Sequence, residues 1–117
     1  MTLTILIRKA NEKTLQREGV VQLDLCGDLQ IGPGAAALSK TFEVLIGKFD
    51  HIVVNMANVR RLDARGIGCL VQAYAEGCAK GTRVSLCDLP PLISEILFIV
   101  KLLAVFGNGE AEFLRAA

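Results

Sequence analysis

The segment whose side chains carry most chemistry is NMANVRRLDARGIGCL, residues 55–70. Arg60, Arg61 and Arg65 surround Asp63, and no other carboxylate occurs from position 51 to 74, giving the stretch a local charge of +2. Asp63 stands where its carboxylate can accept from the free N–H groups of a following helix's first turn. Gly66 and Gly68 would let another backbone approach that turn closely. Cations beside a helix N-terminus face an end that is already partly positive. Their placement reads as a surface for an anionic partner or a phosphate, or as ordinary solvated arginines.

Other chemistry is poorly served. A nucleophilic triad requires a base, and the one histidine, His51, has no Ser or Cys set beside it by any motif, so a structural role is expected. The pair Gly66-x-Gly68 lacks the third glycine of a dinucleotide fingerprint, since Val71 stands in its place. Asp28, Asp63 and Asp88 fall at strand or helix ends and could share one end of a sheet. Three acids so placed suggest a magnesium site, yet acids at loop ends more commonly cap and turn. No metal, cofactor or catalytic residue is expected.

The elements that must position these residues follow from periodicity. Leu3, Ile5 and Ile7 alternate with Thr4, Leu6 and Arg8, and VVQLDLC from Val20 repeats the pattern, giving an antiparallel hairpin across residues 11–19. Gly27-Asp28-Leu29 ends the second strand. Leu38, Phe42, Leu45, Ile46 and Phe49 then make a helical stripe that Gly47 stops. HIVVNM from His51 reads as a short central strand covered on both faces. A second helix over 64–80 has Ile67, Leu70, Val71, Tyr74, Ala75 and Cys78 on one stripe and Gly81 as its C-cap. TRVSLCD is a further strand, Pro90-Pro91 opens a third helix to about Leu103, and 110–117 reads as a short terminal helix. The architecture expected is a single α/β domain over 1–117: a mixed sheet of four to five strands with about four helices, the main ones on one side.

Composition narrows the partners. Thirteen Lys+Arg against twelve Asp+Glu and 5% aromatic residues offer neither a basic surface nor stacking platforms for nucleic acid. The first ten residues lack a basic start and a cleavage site, and the most apolar stretch, 89–106, is broken by two prolines, Glu95 and Lys101. No membrane partner and a cytoplasmic location are therefore expected. Cys26, Cys69, Cys78 and Cys87 contain no CxxC pair, and read as reduced, buried small hydrophobes. In the third helix Ile93, Ile96, Leu97, Val100 and Ala104 suffice for packing. Leu92, Phe98, Ile99 and Leu102 are left for the terminal helix to cover, or for a homodimer or a docking partner.

Several of these residues occur in a family's order: Gly27-Asp28-Leu29 after the hairpin, Asn58-Val59 after the central strand, Leu62-Asp63-Ala64-Arg65-Gly66-Ile67-Gly68, the Gly81 stop, VSLCDLPP, and Lys101-Leu102-Leu103 to Phe106. Across nearly the whole chain the sequence resembles the anti-sigma factor antagonists, the STAS domain. That resemblance implies a non-enzymatic module that binds an anti-sigma factor, commonly a serine kinase, and so frees a sigma factor for transcription. In the family the kinase phosphorylates the serine of an aspartate-serine-x-glycine turn, and the added charge breaks the complex. Asp63 and Gly66 match that turn. Ala64 occupies the phosphoacceptor position, Arg65 follows where serine is common, Gln30 replaces the acid that ends the glycine-acid-leucine motif, and Asn55 stands where many members have aspartate. The partner-binding residues implied are Asp28, Asn58, Arg60, Arg61, Asp63, Ala64, Arg65, Gly66 and Gly68, around a position that cannot be phosphorylated. Constitutive binding, regulation elsewhere and a diverged branch are all compatible with Ala64. The alternative is a diverged domain serving as a small-anion or nucleotide-binding module or a scaffold.

Overall fold

The computed structural model describes residues 3–9 and 18–99. Strand β1 (Thr4–Lys9) pairs antiparallel with β2 (Glu18–Leu29); β2 pairs parallel with β3 (Phe49–Leu62), and β3 parallel with β4 (Arg83–Cys87). The spatial order β1-β2-β3-β4 is the chain order. Helix α1 (Pro33–Leu45) crosses from β2 to β3, α2 (Ala64–Lys80) crosses from β3 to β4, and α3 (Pro91–Ile99) follows β4. Both crossovers step the same way along the sheet, so crossovers of one hand set α1 and α2 side by side on one face. This is the mixed sheet with helices on one side that the sequence implies. Three helices are described, one fewer than expected, because the fourth was placed at 110–117, outside the described residues.

Register explains which side chains reach the core. Val21, Ile52 and Val84 are lateral neighbours, as are Leu23, Val54 and Leu86, and all six are essentially solvent-free beneath the helices. Alternation sends Gln22, Asp24, His51, Asn55 and Ser85 to the opposite face. There Asp24 meets Arg8 at 2.7 Å and accepts from Gln22 at 2.8 Å. Partial burial would raise the Asp24 carboxyl, but the Gln22 and Arg8 contacts outweigh it and hold the group below its ordinary value. His51 Nε2 lies 2.7 Å from Ser85 Oγ on this face, a neighbour no sequence motif announced. The face of β3 away from the helices is half-buried, short of the two-sided cover its run of β-branched residues suggests.

Four sequence expectations are corrected. Strands β2 and β3 extend past the expected ends at Cys26 and Met56, because they keep pairing as far as Leu29 and Leu62 through two irregularities on β3. Asn55 supports the first: its Oδ1 accepts the Ala57 N–H at 2.9 Å, pinning the chain where Ala57 and Asn58 both turn outward. Helix α1 ends at Leu45, so Ile46 and Phe49 of the expected stripe leave it; Gly47, at φ +93°, turns the chain, and Phe49 opens β3. The buried face of α2 is rotated from the expected stripe. Gly66, Cys69, Leu70, Ala73 and Gly77 are innermost, Ile67, Val71 and Tyr74 are half-buried, and Ala75 and Cys78 face solvent. Its smallest residues face inward because the neighbours are close: a Cβ at Gly77 would overlap the Thr82 carbonyl oxygen. All four cysteines are free, but only Cys69 is buried, since Cys26 falls on the helix-free face of β2 and Cys78 on the outer side of α2.

The thread between the two crossovers is fixed by Thr82. Its buried hydroxyl accepts the Gly47 N–H and donates to the Phe49 carbonyl, both at 2.8 Å. Gly81 closes α2 with φ +78° in the left-handed region, as expected. Leu92 on α3 is 59% exposed while Ile93 is buried; the side chains of Phe98, Ile99 and Leu102 lie outside the described residues. No described helix is long and apolar enough to cross a membrane.

Candidate functional site

Parallel strands β2 and β3 both end at one edge of the sheet, where the turns into α1 and α2 meet. In parallel α/β sheets the strands' carboxyl ends are where loops gather into sites. Asp63 organises this edge. Its Oδ1 accepts the Gly66 N–H and its Oδ2 accepts the Ile31 N–H, each at 2.9 Å. Its own N–H donates to the Leu29 carbonyl at 3.3 Å, and its carbonyl accepts from Ile67 at 2.9 Å. One residue therefore caps α2, as expected, and also ties that cap to the β2–α1 turn, which the sequence did not indicate. The amides of Ile31 first, and Gly66 next, hold its carboxyl below the ordinary aspartate value, because they bond the charged form.

Gly66 permits this closeness, for a Cβ there would overlap the Leu29 carbonyl oxygen. Gly68 is different. Nothing lies within contact range of its missing side chain, and it opens onto a groove. Ala64 begins α2 with its methyl in solvent beside exposed Arg65. Asn58, Arg60 and Arg61 lie on the extension of β3, all exposed, so the three arginines spread over a strand end and a helix start. Arg60 Nε approaches Asp28 Oδ1 at 4.0 Å, and Asp28 is only 8% exposed. Asp28, Asp63 and Asp88 do sit at the ends of parallel strands, but among the described residues no three acid, His or Cys side chains gather into one cluster.

Sequence reasoning passed over Ile31 and Ser39. Ile31 is 70% exposed, held on the turn by the hydrogen bond that its N–H donates to Asp63 Oδ2. Its signal was available: an apolar residue lodged between Gln30 and the turn residues Gly32-Pro33-Gly34 cannot be part of a core stripe. Ser39 faces Cys69 from the neighbouring helix, Oγ to Sγ at 3.2 Å. Burial pushes the Cys69 thiol above its ordinary value, and the Ser39 hydroxyl offsets part of that rise. These residues line a groove of about 640 Å³ between α1 and α2, with Ile31, Ala64 and Arg65 at its mouth and Gly68 and Gln72 along one wall.

A family model described as "Mlab, STAS domain" matches residues 13–105. The chain belongs to the STAS family. Solved structures agree on the fold at low identity. An anti-sigma factor antagonist from Mycobacterium paratuberculosis superposes with a TM-score of 0.71 at 17% identity, covering 90% of this chain and 83% of that one. The phosphorylated Bacillus cell fate determinant SpoIIAA gives 0.64 at 19% identity, with 85% of each chain covered. The murine Slc26a9 anion transporter gives 0.64 at 15% identity, covering 88% of this chain but 19% of the transporter. No curated protein matches. The STAS fold thus stands both alone and as a small part of a larger chain.

Proposed function

We propose that this STAS domain acts as an anti-sigma factor antagonist-like interaction module, binding an anti-sigma factor of the serine kinase type through the α2 N-terminal turn. The observation that carries this reading is the way Asp63 locks that turn to the β2–α1 turn, presenting exposed Ile31, Ala64 and Arg65 together. A preformed apolar knob beside an arginine is the composition that protein interfaces concentrate at their centres. Ala64 has no hydroxyl, so a kinase partner cannot add the charge that would break the complex there, and binding is constitutive at this site.

The small-anion reading is weaker on electrostatic grounds. The Asp63 carboxylate already occupies the Gly66 and Ile31 amides and places a negative charge where a phosphate would seek donors.

The test is to incubate the chain and its Ala64→Ser variant with the anti-sigma kinases of the same genome and ATP. The native chain is expected to stay bound and unlabelled at 64, while A64S is labelled there and released. A complex that forms with none of these kinases, with either protein, contradicts the reading.

A further inference from the structure

Plain alternation along β3 from buried Met56 would send Asn58, Arg60 and Leu62 toward the helices, and Ala57, Val59 and Arg61 away from them. The strand departs from this at three positions: Val59 is buried, whereas Asn58 and Arg60 are exposed. The two irregularities in the β2–β3 register bracket these residues. The first falls between Asn55 and Asn58, the second between Val59 and Arg61, and each inserts one extra residue into β3. The first therefore inverts the alternation, and the second restores it by Arg61 and Leu62. Between them Arg60 keeps 59% of its side chain in solvent, with its Nε 4.0 Å from Asp28 Oδ1.

Asn55 holds the first bulge through both ends of its carboxamide. Its Oδ1 accepts the Ala57 N–H at 2.9 Å. Its side chain also hydrogen-bonds the carboxylate of Asp24, its register partner on β2. Asparagine supplies the acceptor and the donor that these two contacts need. An aspartate would instead set a second carboxylate against Asp24, and the like charges would repel. Arg8 reaches Asp24 at 2.7 Å from β1, the side away from position 55, and the neighbour of Asn55 on β4 is Cys87. We infer that Asn55 is a positioning residue for the partner surface: it bridges Asp24 and Ala57 to hold the bulge that turns Asn58 and Arg60 outward, beside Arg61 and the α2 turn. The inference rests on the proposed partner-binding role of this edge and extends that contact onto the end of β3. Loss of the bridge does not return β3 to plain alternation, because that would bury Arg60 and expose Val59. The stretch from Ala57 to Arg60 loosens instead.

The test compares Asn55→Ala, Asn55→Asp and the swap Asp24→Asn/Asn55→Asp in the full chain. The swap keeps the net charge and returns one carboxamide and one carboxylate to the pair. Hydrogen exchange at the Ala57 amide is expected to quicken about tenfold in N55A, as for one lost hydrogen bond, less in N55D, and to return to the native rate in the swap. The Ile31 amide, tethered to Asp63, should keep its native rate throughout. N55A is expected to bind an anti-sigma kinase about tenfold more weakly than the native chain. In an Asn58→Ala/Arg60→Ala background it should make no further difference, since the residues it positions are already gone. Unchanged exchange at Ala57, equal quickening at Ala57 and Ile31, no rescue by the swap, or a full further loss in the N58A/R60A background would overturn the inference. Undiminished kinase binding by N55A would also overturn it, while leaving the α2-turn reading standing. If the native chain binds no such kinase, the proposed function fails and the surface role with it, while exchange at Ala57 still decides the bulge.

Discussion

At the scale of single residues the domain turns on Asp63. Its carboxylate satisfies one amide of its own helix and one of a turn 32 positions earlier, so Asp63→Ala removes a cap and a tether together. The variant should be less stable than the native chain at neutral pH. The sign of the pH dependence follows from the lowered carboxyl value. The stabilisation is fully present above the ordinary value of 3.8 and is lost as pH falls through the lower folded-state value. Urea unfolding at pH 7, 5 and 2 should therefore show a gap between native and D63A chains that is constant at the first two and narrower at the third. A gap that grows on acidification would contradict this role. The capping half of it was legible, because Asp precedes an apolar helical period. The tether was not, because nothing in a linear pattern says which distant amide will face the second oxygen.

At the scale of elements, two glycines one turn-fraction apart have opposite duties. Gly66 lies against the Leu29 carbonyl oxygen, whereas Gly68 faces open space. Gly66→Ala should cost about 1–3 kcal/mol through overpacking against backbone. Gly68→Ala should be neutral or gain up to about 1 kcal/mol from helix propensity. Denaturant midpoints of the two variants check this directly, and equal effects would mean that α2 does not pack as described. The sequence treated both glycines alike, since spacing gives a helix its period but not the distance to its neighbour. The same limit rotated the predicted face of α2: the apolar period pointed to Ile67, Val71, Tyr74, Ala75 and Cys78 beside Leu70, while close packing put Gly66, Cys69, Ala73 and Gly77 beside it. Strand ends failed for a related reason. Gly27-Asp28 and Asn58-Val59-Arg60-Arg61 look like turns in isolation and become strand only because each supplies the other's hydrogen-bond partners.

At the scale of the whole molecule, the alternation of strands and helices after an opening hairpin made the mixed sheet legible, and the ordered motifs made the family legible. The layout of function was less so, because it depends on which loops the parallel strands bring to one edge. That edge holds a turn locked by Asp63, an exposed isoleucine, an exposed alanine at position 64, and arginines spread across a strand end and a helix start. The helix-free face of the sheet offers a control, for there Arg8, Asp24, His51 and Ser85 are engaged with one another. Site-specific photo-crosslinking in the native cells tests the account most directly, with the photoreactive residue at position 64 in one chain and at position 83 on the helix-free face in another. The predicted result is a covalent adduct with an anti-sigma factor from position 64 and none from position 83; adducts from 83 alone, or adducts from 64 that contain no anti-sigma factor, would contradict it.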